Sequence, residues 1–111
     1  MNIVILRGTL SRAPELRALA TGAAHLQLDL STSLLNGVAS VPVIWVDPPA
    51  RAQFDAGDEV VVAGSIRRRF FRVGGITQSR TEVVADLVVP VGQRKAVQRV
   101  LATAKAALDG A

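Results

Sequence analysis

The chain is 111 residues long, half of them hydrophobic, with 13 Lys and Arg against 9 Asp and Glu and a formal net charge of +4. That length predicts one domain with a real core, and the basic balance points to an acidic partner such as nucleic acid or an anionic membrane surface. The lack of cysteine and the single histidine exclude a disulfide framework, thiol catalysis and a cysteine metal site, so no cofactor is expected.

The opening MNIVILRGTL has no basic region before its apolar run, and the run is too short for a signal peptide or a membrane span. A soluble, cytoplasmic protein with no membrane partner is the expectation. Residues 2–10, β-branched and apolar and broken by Gly8, read as a first strand. Residues 11–22 read as a connection, with Pro14 and Gly22 as breakers. Residues 25–33 alternate: Leu26, Leu28 and Leu30 share one face, His25, Gln27, Asp29 and Ser31 the other, as in a half-buried strand. Asn36-Gly37 predicts a tight hairpin, and residues 41–46 a third strand in which Pro42 marks an edge or an irregular start. Asp47 as N-cap and Pro48 at the first helical position predict a short helix over 47–54. Residues 57–73 form a long fourth strand with a bulge or bend at Gly64, Gly74 and Gly75 turn the chain, and a fifth strand runs to Pro90. The tail changes period: Val97, Val100, Leu101, Ala104 and Leu108 follow helical spacing, with Arg94, Arg99 and Lys105 mostly off that stripe. Five strands with a short helix between the third and fourth is the order of an OB-fold, a small all-β Greek-key barrel. The predicted division is residues 1–91 for that domain and 92–111 for a C-terminal amphipathic helix.

The densest basic and aromatic stretch is RRRFFR, residues 67–72. Strand side chains alternate. If Val60, Val62 and Ile66 face the core, Arg68, Phe70 and Arg72 continue that face, which makes Phe70 a core residue. Arg67, Arg69 and Phe71 then share the open face. Two cations and a ring two residues apart can neutralise phosphates and stack a base, and neither contact depends on sequence. Arg72 and Arg7 are further candidates for the same surface, and Arg12 and Arg17 can extend the basic track. Trp45 has the strand parity of Val41 and is a candidate stacking residue. Its alternatives are core packing or a subunit interface. His25 has no second ligand for a metal and reads as a surface residue.

Four segments carry a resemblance. MNIVILRGTLSRAPELR, the TG before LQLDLSTS, AGDEVVVAGSIRRR and RTEVVADLVV occur in the order of the bacterial single-stranded DNA-binding proteins, and together the resemblance covers roughly residues 1–90. It implies an OB-fold that binds single-stranded DNA without sequence preference in replication, repair or recombination, and a homotetramer, with a dimer as the next choice. Phe71 falls where the family stacks an aromatic on bases, and Glu82 belongs to its last-strand signature. The chain departs from the family in three ways. Val41 and Leu35 or Asn36 stand at its other stacking positions, the loop after the second strand is reduced to LLNG, and the disordered, acidic-tipped tail is replaced by a helix. GTLSRAP, HLQ and VPVIWV also resemble a primosomal replication protein, a dimeric OB-fold. That likeness makes a module for replication or recombination proteins, with weak affinity for single strands, the alternative. An enzyme is disfavoured, because no nucleophile–base set or metal cluster is present in the sequence.

Overall fold

The structure, a computed structural model, describes residues 1–18, 21–50 and 52–110. It is mostly β, with six strands and one helix: β1 Val4–Leu10, β2 Glu15–Ala18, β3 Ala24–Leu34, β4 Gly37–Val46, β5 Glu59–Val73, β6 Ile76–Pro90 and α1 Arg94–Asp109. The order β1-β5-β6-β4-β3, with β1 also pairing β3, closes five strands into a ring, and β2 adds to the outside of β3. All pairings are antiparallel except β4 with β6.

Alternation fills the ring. Leu26, Leu28 and Leu30 of β3 meet Val43 and Trp45 of β4, Val60 and Val62 of β5, Val83, Ala85 and Val88 of β6, and Leu10 of β1. Each fully buried Leu or Val contributes about 1.5–3 kcal/mol. The core positions of β6 step from Ala85 to Val88 because the β5–β6 register slips there: Ala63 faces Leu87 but Gly64 faces Ala85, which leaves Asp86 as the extra residue. The irregularity predicted at Gly64 is therefore present, with the extra residue on the partner strand. Gly64 is needed for closeness, since a Cβ there would run into the Val84 carbonyl oxygen. Gly8 does the same where β1 crosses from β5 to β3, where a Cβ would meet the Ser31 carbonyl oxygen and Leu30 Cγ.

Three local expectations need correction. The helix over 47–54 is not formed by the described residues of that stretch. Asp47 has φ +50, outside the extended conformation of an N-cap, and Pro49 disfavours helical backbone at Pro48. Arg51 lies outside the described residues. The stretch 11–22 is more than a connection, because Glu15–Ala18 pair with Ala24–Gln27 as β2. The hairpin at Asn36-Gly37 has Leu35 and Asn36 at its tip, and Gly37 opens β4 with φ +139. Pro42 sits where β4 pairs only with β3, since pairing with β6 begins at Val43. The prediction of an edge position there agrees with the pairing.

The C-terminal helix forms as predicted, within one domain-sized body. Val100 is its one buried residue among those described. Ala96, Val97 and Ala104 are half-buried, whereas Leu101 and Leu108 project from the surface. The helix has no side-chain cap and no acidic residue in its first turn, so it depends on docking more than on its own ends.

Candidate nucleic-acid interface

Beyond Val83 the β5–β6 pair leaves the ring and continues as a two-stranded arm. Gly74 and Gly75 form its tip with φ of +56 and +81, the pair of positive values that a two-residue turn between twisted strands requires. That turn sets the register. Arg67 lies opposite Glu82, Arg68 opposite Thr81, Arg69 opposite Arg80, Phe70 opposite Ser79, Phe71 opposite Gln78 and Arg72 opposite Thr77.

The arm holds the chain's charge. Residues 67–82 contain five arginines and one glutamate, a net +4, which is the net charge of the whole sequence; the remaining residues carry eight basic and eight acidic side chains.

Its two faces differ. Arg67, Arg69 and Phe71 share one, as their parity predicts. Their cations converge on a single carboxylate. Arg67 donates from Nε to Glu82 Oε1 at 3.0 Å, its Nη2 lies 2.9 Å from the same oxygen, and Arg69 Nε lies 3.3 Å from it. Glu82 is only 1% exposed, and its Oε2 has no partner among the described residues. The two arginine side chains remain 48% and 46% exposed. Arg69 also lies over the ring of Phe71, 5.3 Å from its centroid, and Phe71 is half-buried. So this face is a basic ladder already partly neutralised from beneath.

The other face carries Arg68, Phe70 and Arg72. Phe70 was expected in the core and is 65% exposed. Its parity is that of the core residues, but the strand has passed the end of the ring, so the inward direction meets solvent. Arg68 donates to Ser79 Oγ at 3.1 and 2.9 Å and lies over the Phe70 ring at 5.5 Å. Arg72 donates to the Gly75 carbonyl at 2.6 Å. Neither is in an ion pair with a described residue. This face therefore offers an exposed ring and two cations that no described carboxylate answers.

The remaining candidates lie elsewhere. Trp45 is 5% exposed and belongs to the core. The parity it shares with Val43 is the inward one, so its ring cannot stack on a strand outside. Arg7 lies on β1 opposite Val61, away from the arm, and pairs with Glu59 at 2.5 Å. Arg12 pairs with Asp29 and Arg17 with Glu15, so Asp29 and Glu82 serve different arginines and do not meet. His25 is half-buried, with Nε2 lacking a partner among the described residues. Sequence reasoning missed Arg80 and the work of Glu82. Both were legible: counting outward from Gly74-Gly75 sets Glu82 against Arg67 and Arg80 against Arg69.

Among the described residues no group of three or more His, Cys, Asp or Glu is placed to hold a metal ion, and no helix is long and apolar enough to cross a membrane. No protein-family model matches the chain, and comparison with curated proteins finds no match.

Proposed function

We propose that the chain is a sequence-independent single-stranded DNA-binding protein of the OB-fold barrel type, acting in replication, repair or recombination. The observation that carries this reading is that the entire net charge of the sequence sits on one arm with two phenylalanines interleaved among its arginines. Arginines neutralise phosphates without regard to sequence. A flat exposed ring stacks on any unpaired base, because every base has a π-face. A duplex hides those faces, so the ring supplies the preference for single strands. The ring of five strands and the four segments resembling the single-stranded DNA-binding family support the same reading.

The proposed assembly is a homotetramer, with a dimer as the second choice. Exposed Ile3, Ile5, Leu101 and Leu108 give the subunit apolar surface to cover. A second reading, an interaction module for replication or recombination proteins, is favoured by the hairpin tip, where Leu35 is 99% exposed between exposed Leu34 and Val38.

The test is titration with a dT homopolymer and a duplex of equal length at several salt concentrations, together with a mass in solution. The expected result is tighter binding of the homopolymer, weakening with salt. Equal affinity for the two, or none for either, would remove the first reading, and a mass of 11.7 kDa would remove the assembly.

A further inference from the structure

On the outer face of the ring, three arginines from separate stretches line one cavity of about 250 Å³: Arg12 after β1, Arg17 of β2 and Arg80 of β6, together with Gln27, Asp29 and Ile44. Among the lining residues the three guanidinium groups face one carboxylate. Arg12 is paired with Asp29, and Arg17 with Glu15 at 2.9 Å. Arg80 makes no ion pair with a described residue. It also stands directly opposite Arg69, an arrangement of like charges that costs stability in an antiparallel pair. Glu82 answers Arg69, and nothing described answers Arg80. Ile44, 6% exposed, also lines the cavity, whose open surface is mostly polar.

Three guanidinium groups brought to one cavity, one of them in no ion pair with a described residue, offer forked N–H donors suited to the oxygens of a tetrahedral oxyanion. We propose that the cavity of Arg12, Arg17 and Arg80 binds a phosphate group. Arg80 belongs both to the cavity and to the arm face of Arg67, Arg69 and Phe71. A strand lying on that face would deliver its next phosphodiester there and run on over the outside of the ring. That source of the phosphate rests on the function proposed above, whereas the cavity as an oxyanion site does not.

The test follows the arginine Nε–H resonances of the intact chain during separate titrations with a dT oligonucleotide and with inorganic phosphate. The expected result is saturable movement of the Arg12, Arg17 and Arg80 signals in both, at far lower concentration with the oligonucleotide. Arg80→Gln should abolish the movement at Arg12 and Arg17. It should also lower the log–log salt slope of oligonucleotide binding by about 0.7, one phosphate contact, without lowering the melting temperature, since it removes the charge facing Arg69. Movement with phosphate alone, while the oligonucleotide still perturbs Arg68 and Phe70, would keep the site and overturn the strand as its source. Failure of the oligonucleotide to bind anywhere would sink the proposed function, with the phosphate titration still deciding the cavity. Stationary signals at Arg12, Arg17 and Arg80 in both titrations would overturn the cavity itself.

Discussion

Glu82→Gln should weaken the fold and strengthen binding. On one oxygen the carboxylate accepts a hydrogen bond from Arg67 Nε and is in ion-pair contact with Arg67 Nη2 and Arg69 Nε. Glutamine keeps the shape and an acceptor but loses the charge. A hydrogen bond to a charged group contributes about 1.5–3 kcal/mol, a neutral one about 0.5–1.5. Replacing the first kind by the second at that one bond, and losing the two ion-pair contacts, gives a loss of a few kcal/mol at most. The arginines are half exposed and stay hydrated in the variant, which brings the expected loss to about 1–2 kcal/mol, a fall in Tm of roughly 5–10 °C. Meanwhile the arm's charge rises by one, and two guanidinium groups are freed for phosphates. The log–log salt slope for a dT homopolymer should steepen by up to about 1.4, or 0.7 for each further phosphate neutralised. Thermal melts and titrations at four salt concentrations read both effects. Weaker binding with an unchanged or shallower slope would refute the reasoning, because Glu82 would then act by aiming the arginines and not by neutralising them.

Phe70→Ala should cost less than about 1 kcal/mol of stability, as expected of an exposed site, yet weaken single-strand binding by about 1–3 kcal/mol for each stacked base. Phe71→Ala should lower Tm more and affinity less, and the reverse ranking in melts and titrations would show that the half-buried ring is the stacking one. Gly64→Ala should lose several kcal/mol or fail to fold, since the new methyl meets the Val84 carbonyl oxygen; a denaturant midpoint within error of the parent would contradict that. Val100→Ala should free the helix from the ring at a cost of about 2 kcal/mol, read as faster proteolysis in the tail with no change in binding to dT.

The strands of the ring were legible because Leu26, Leu28 and Leu30 repeat every second residue in β3, while β5 and β6 carry β-branched runs, Val60 to Val62 and Val83 to Val84, between turn residues. β2 was not, because Glu15, Leu16, Arg17 and Ala18 are all exposed. It exists through its ladder with β3, and its alternation, Leu16 and Ala18 after Glu15 and Arg17, is too short beside Pro14 to read as a strand. The helix over 47–54 failed because Asp-Pro-Pro carries both a start signal and a stop signal, and the second proline prevailed. At Phe70 the parity was right and the burial wrong. Alternation tells which side a residue takes, but only the closing of the ring decides where that side stops being interior. Arg67 and Arg69 were placed together correctly, whereas the carboxylate beneath them depends on a register that the sequence encodes through its glycine pair.

The arm also decides how the molecule meets a polyanion. From Arg67 to Val73 it runs about 20 Å at the usual rise of a strand, while electrostatic influence fades over about 8 Å at physiological ionic strength. The ring, with as many acidic as basic side chains outside residues 67–82, adds no net pull of its own. On the proposed function, an approaching strand would feel the arm before the ring, and the molecule would turn arm-first during the encounter. Orientation in that sense is a matter of rate: salt should slow association far more than it hastens release, because what it screens is the torque that aligns the molecule before any contact is made.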